Sequence, residues 1–152
     1  MAEKKHNNAV VVTCIDPRLH QRKDGRNFIG QFIFQFVKRD SYLVANAGGV
    51  QKLFSLIRND FEGRNSNPIL YNLEIAIGKV NEPIIYLVNH EDCKAYGKYN
   101  LENREAEIEK HRQDLKDAKV VILKYYPDAK IKMFFAKLIR PSNDNFTFIE
   151  VK

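Results

Sequence analysis

Two short apolar runs constrain this chain most. Ala9 to Cys14 (AVVVTC) and Pro83 to Val88 (PIIYLV) are continuous and rich in β-branched residues. A half-exposed strand alternates apolar and polar residues. An unbroken run of this length reads instead as a strand buried on both faces, as in a parallel sheet covered by helices. Tyr42 to Val44 reads as another short strand, and it runs into the turn Asn46-Ala47-Gly48-Gly49. Lys130 to Ala136 and Phe146 to Val151 read as two more, joined by the turn-rich Pro141-Ser142-Asn143-Asp144-Asn145 that suits a hairpin.

Helical spacing fills the intervals. Phe28, Ile29, Phe32, Ile33, Phe36 and Val37 form one wide apolar face within Asn27 to Arg39. Val50 to Asn59 carries Leu53, Phe54, Leu56 and Ile57 and reads as a second helix. After a polar loop, Glu62 to Asn67, Ser66 or Asn67 can cap a third, with Pro68 in its first turn and Ile69, Leu70, Leu73, Ala76, Ile77 and Val80 on one face. Leu101 to Tyr126 is a long charged helix with Ile108, Leu115, Ile122 and Leu123 inward, ended by Pro127. Strands alternating with helices predict an α/β fold: a mostly parallel central sheet of about four strands, plus an antiparallel edge strand, flanked by helices. The 152 residues, 44% of them hydrophobic, suit one domain spanning 1–152 with a single core.

Composition narrows the function classes. The net charge of +6 invites a phosphate-backbone reading. However, lysines and arginines are interleaved with acids, as from Arg104 to Lys119, and there is no basic block of five and no RNP-like aromatic motif. No nucleic-acid partner is expected. No stretch reaches the ~18 apolar residues of a membrane span, and Met1 to Asn8 lacks the apolar core of a secretory signal. The expected location is cytoplasmic, with no membrane partner. The chain has two cysteines, Cys14 and Cys93. In a reducing compartment such residues serve as ligands, nucleophiles or small core residues.

Both cysteines stand in chemically loaded surroundings. Cys14-Ile15-Asp16-Pro17-Arg18 sets a soft ligand, an anion and a permanent cation within five residues. Asp16 and Arg18 can close a bidentate clamp in a turned loop that Pro17 stiffens. In His90-Glu91-Asp92-Cys93 an imidazole and a thiol three apart can reach one metal from a single loop. A Cys₂His set leaves a fourth zinc position for water, which is the pattern of a catalytic zinc site. Cys14 and His90 both fall at carboxyl ends of predicted strands, where sites form in parallel α/β sheets.

Cys14-x-Asp16-x-Arg18 resembles the first zinc motif of the β-class carbonic anhydrases, and His90-x-x-Cys93 after a buried strand resembles the second. Asn46-Ala47-Gly48-Gly49 is similar to that family's turn after its second strand, and Leu73-Glu74-Ile75-Ala76 to its helix before the third. The resemblance runs from about Ala9 to Tyr96, and more loosely through the C-terminal strands. It implies one Zn²⁺ per chain on Cys14, His90 and Cys93. It also implies reversible hydration of carbon dioxide to bicarbonate by zinc-bound hydroxide, which the catalytic Asp16–Arg18 dyad orients. Asn46, Ala47, Gly48 and Gly49 would stand near the substrate. The family further implies a homodimer or higher homo-oligomer.

This chain departs from the family in several places. Ala45 stands where the family has Arg, Asn89 and Lys94 where it has Gly, and Pro17 where a small or polar residue is usual. The helical arm before the first strand is nearly absent. Two alternatives follow: a related zinc hydrolase of carbonyl sulfide or carbon disulfide, and a catalytically degenerate zinc-binding homologue. The intact Asp16–Arg18 pair speaks against the second of these. Lys94, Tyr96 and Tyr99 follow the second motif and are expected to be packing or surface residues. The other histidines, His6, His20 and His111, match no motif. His20, close to Arg18, is a candidate for moving protons. His111, mid-helix among charges, is expected to be exposed.

Overall fold

The computed structural model describes residues 8–53, 67–78 and 83–152. Five strands form one sheet in the order β2-β1-β3-β4-β5. They are β1 (Ala9–Cys14), β2 (Ser41–Asn46), β3 (Ile84–His90), β4 (Lys130–Leu138) and β5 (Phe146–Val151). The first four are parallel, and β5 pairs antiparallel to β4 at the edge. This is the α/β architecture that the unbroken apolar runs predict.

The residues alternate between two cores, one on each face of the sheet. Val10, Val12, Ile85 and Leu87 point to one side, with Val44, Leu70, Leu73, Leu115, Ile122 and Phe135. Ala9, Val11, Tyr86 and Val88 point to the other, with Phe28, Ile29, Phe32, Phe134 and Phe146. Because both faces are covered, β1 is buried along its whole length. That is why it carries no polar alternation.

The helices differ from their sequence readings mainly at their ends. Asn27 to Arg39 is helical in two parts: α1 (Phe28–Phe32), which the Asn27 side chain caps through the Gly30 N–H, and a wider π-helical turn, Ile33–Val37. That turn closes when the Lys38 N–H donates to the Ile33 carbonyl at 2.7 Å. A segment this short is far below the ~12–15 residues an isolated helix needs. Packing holds it: the Phe32 ring sits 4.9 Å from Phe134 and 4.8 Å from Phe148, centroid to centroid. Phe28, Ile29, Phe32 and Val37 of the predicted apolar stripe are buried, whereas its Phe36 stays exposed.

Helix α2 (Pro68–Ile77) begins as predicted, with Asn67 Oδ1 accepting from the Ile69 and Leu70 N–H groups. Of the Val50 to Asn59 helix, residues 54–59 lie outside the described residues, as do Glu62 to Ser66, Val80 and His6. Helix α3 (Arg104–Tyr125) starts three residues later than its periodicity suggests, because Asn103 caps it through the Ala106 N–H. Among the described residues no helix is long and apolar enough to cross a membrane.

In the order 2-1-3-4, the chain leaves β1 toward one side of the sheet and returns at β3 on the other. The carboxyl ends of β1 and β3 therefore flank the switch point, where such sheets open a crevice. Cys14 is the last residue of β1 and His90 the last of β3.

Candidate metal centre

The strand ends bring Cys14 and His90 together, and the turn after β3 returns Cys93 to them. One ligand atom from each residue lies within 4.8 Å of the other two, and all three residues are buried. The two sulfurs are 3.8 Å apart. A tetrahedral zinc with Zn–S bonds of about 2.3 Å sets its two sulfurs about 3.8 Å apart, so the spacing fits. His90 Nδ1 donates to the Glu91 carbonyl at 2.8 Å, which fixes the orientation of the ring and leaves Nε2 outside that contact. Nε2 is buried and has no hydrogen-bond partner among the described residues. A buried, unpaired imidazole nitrogen beside two thiols is the environment a soft or borderline metal completes.

The two sulfurs lie within hydrogen-bonding reach of each other, and the contact with Cys93 draws the Cys14 thiol down against the opposing effect of burial, with His90 adding to the fall. Cys93 moves upward for the same reason, reinforced by burial.

Asp16 lies beside this cluster, its Oδ2 3.8 Å from His90 Nε2. Arg18 holds it there. Its Nε donates to Asp16 Oδ1 at 3.1 Å and its Nη2 to Asp16 Oδ2 at 2.8 Å, while the Arg18 backbone N–H also reaches Oδ1. Burial would raise the Asp16 carboxyl, but these hydrogen bonds outweigh it and keep the group below its ordinary 3.8. The remaining Arg18 donors are used as well, on Asp92 Oδ2 (3.0 Å), the Asp92 carbonyl (2.9 Å) and the Asn143 carbonyl (2.8 Å). All five guanidinium N–H groups are therefore engaged. Arg18 ties the first motif to the second and to the β4–β5 hairpin.

A pocket of about 510 Å³ opens over the cluster. Ile15, Pro17, Ala47 and Ala95 give it apolar walls, and Asp16 and Lys94 give it charge. Ala47 and Gly48 line it, whereas Asn46 and Gly49 do not. Gly49 has a structural reason instead: its φ is +61°, and a Cβ there would stand 2.2 Å from Asn89 Oδ1. Asn89 braces that turn by accepting from the Val50 N–H at 3.2 Å. Its Nδ2 donates to Tyr96 Oη and to His111 Nδ1, both at 3.0 Å. Tyr96 packs behind the site and donates to Asp114 Oδ2. Tyr99 is partly exposed, and Lys94 stands on the pocket rim. Ala45 is exposed on edge strand β2, paired with Thr13. The His20 ring nitrogen Nε2 sits 2.7 Å from the Cys14 carbonyl.

His111 corrects its sequence reading, since it is fully buried. It belongs to the inward stripe Ile108, His111, Leu115, Ala118 and Ile122, spaced three and four residues apart. The charges on both sides of it in sequence face outward. It stacks against Tyr96 and Phe135 and lies 3.6 Å from Glu107. Burial pushes its pKa below the ordinary 6.5, with Glu107 opposing and Asp114 and His90 also acting on it. A folded pKa below the unfolded one means that the unfolded chain takes up the proton first as pH falls. The stability that neutral His111 contributes is therefore complete above 6.5 and lost as pH falls through the folded value. Glu107, held below its ordinary 4.5 chiefly by His111 against burial, adds loss of the same sign at lower pH. We expect urea unfolding followed by circular dichroism to show stability falling below pH 6.5, by at most about 1.4 kcal/mol per pH unit for this group. His111→Gln should flatten the slope between pH 6.5 and 5. Equal slopes in both proteins would exclude His111 as the source.

Three participants escaped the sequence reading: Glu91, Asp92 and Glu107. The Asp92 N–H donates to Glu107 Oε1 at 2.5 Å, and Asp92 has a positive φ of 60°. The motif spacing marks the ligands but not what holds the residues between them. The position of Glu91 and Asp92 inside His90-x-x-Cys93 was the one available sign.

A scan against protein-family models finds no match, and a search of curated proteins finds none. Among solved structures, the beta-carbonic anhydrase CcaA is similar to this chain over 90% of this chain and 77% of its own, with a TM-score of 0.46 and 11% sequence identity.

Proposed function

We propose that the chain is a zinc-dependent enzyme that hydrates carbon dioxide reversibly to bicarbonate. One observation carries the proposal: beside a buried Cys14–His90–Cys93 set stands a carboxylate, Asp16, that an arginine with all five donors engaged holds clear of it. A site that only stored a metal would have no need of an ionised, immobilised carboxylate at its open side. Zinc held by three protein groups supplies a Lewis acid with an open position and brings the pKa of water to about 7.

The chain's own groups would do the rest. Asp16 stays ionised under Arg18, and the free lone pair on Oδ2 accepts a hydrogen bond from a water in the pocket, fixing where that water points. Ile15, Pro17, Ala47 and Ala95 offer walls suited to a small apolar molecule. Lys94 at the rim offers a cation for an anionic product. The same apolar walls support a second reading, hydrolysis of carbonyl sulfide or carbon disulfide. Stopped-flow CO₂ hydration at mildly alkaline pH, on zinc-loaded protein of measured metal content, separates the two. Turnover of CO₂ well above the uncatalysed rate is expected. Zinc at full occupancy with no CO₂ turnover, and turnover of a sulfur analogue instead, would transfer the assignment to the second reading.

A further inference from the structure

We infer that Glu91 is a positioning residue: through its own carbonyl it sets the orientation in which His90 presents Nε2, and it fixes the turn that returns Cys93 to the site. The inference rests on the metal reading of Cys14, His90 and Cys93. Glu91 stands between two of those residues, yet it does not line the pocket. Its side chain is fully buried. A buried carboxylate survives only when paired and hydrogen-bonded, and this one is saturated. Oε1 accepts from Arg104 Nε and from Arg140 Nη2 (3.3 Å), and Oε2 from Arg104 Nη2 (3.3 Å) and the Leu138 N–H (2.6 Å).

The backbone is held as firmly. The Glu91 N–H donates to the Ala136 carbonyl at 2.9 Å, and the Glu91 carbonyl receives His90 Nδ1–H at 2.8 Å. The side chain thus locks the residue to the end of β4 and the first residue of α3, while the carbonyl points at His90. The hydrogen bond on Nδ1 selects the tautomer and the ring orientation of a ligating imidazole, and outer partners of this kind typically govern metal affinity by 10- to 100-fold. None of this anchoring serves substrate or proton transfer directly.

The test is zinc affinity, by competition with a chromophoric chelator, on folded wild type, Glu91→Gln and Glu91→Ala, beside the visible absorption of the cobalt(II) forms. Glu91→Gln keeps an acceptor for Leu138 but loses the charge that Arg104 and Arg140 share, and is expected to weaken zinc about 10-fold. Glu91→Ala loses every side-chain anchor and is expected to weaken it about 100-fold. Both should shift the cobalt bands. Arg104→Lys, which keeps a cation but not the fork, decides the matter if the Glu91 variants do not fold, with an expected loss of about 10-fold. Folded variants with wild-type affinity and an unchanged cobalt spectrum would reduce Glu91 to a fold anchor and overturn the inference. Wild type that binds no zinc would overturn it together with the metal reading. Wild type that binds zinc, weakened in the variants, but turns over no CO₂ would sink the proposed reaction and leave the inference standing.

Discussion

Cys93→Ala should abolish stoichiometric zinc binding while the chain remains folded. Wild type is expected to hold about one zinc per chain after reconstitution and dialysis, and the variant less than about a tenth of that. The reason is geometric. Cys14 and Cys93 place their sulfurs 3.8 Å apart, one edge of a zinc tetrahedron, and His90 Nε2 supplies a third corner. Removing one thiol leaves a two-ligand site with a buried imidazole. Cys93 is 6% exposed and small, so its truncation removes one sulfur atom from the edge of a core and costs little stability. Elemental analysis for zinc, with circular dichroism on the same samples, makes the comparison. Cys14→Ala should behave alike. Full zinc occupancy in both variants would mean that the metal sits elsewhere.

Asp16→Asn should keep the zinc and lose the reaction. Asn has the same shape but offers one acceptor oxygen in place of two and carries no charge, so Arg18 can no longer hold it bidentately. The expected fall in CO₂ hydration is about 100-fold or more, in the range that a positioned proton acceptor contributes. It should appear in kcat more than in zinc content. Arg18→Lys should also impair turnover, because an ammonium cannot span Asp16, Asp92 and the Asn143 carbonyl at once. An Asp16→Asn enzyme with wild-type kcat would remove the dyad from the mechanism.

The parallel sheet could be read from residues alone, because burial on both faces leaves an unmistakable mark: Ala9 to Cys14 contains no charge at all. The three candidate ligands were legible for a related reason. Strand ends place residues predictably, and Cys14 and His90 close two strands that flank the switch point. What failed depends on the third dimension. His111 reads as a surface residue because its sequence neighbours are charged, while its helical phase turns it inward onto Tyr96 and Asn89. The apolar periodicity of Asn27 to Arg39 foresees neither the wider turn at Ile33 nor the exposure of Phe36 on its apolar face. Glu91 could not be found from its spacing, since its partners Arg104, Leu138 and Arg140 lie 13, 47 and 49 residues away.

Zinc K-edge absorption fine structure on the reconstituted protein tests the central claim most directly. The Cys14–His90–Cys93 assignment predicts two sulfurs at about 2.3 Å and two nitrogen or oxygen atoms at about 2.0–2.1 Å, one of them imidazole. A shell without sulfur, or no zinc retained at all, would contradict it.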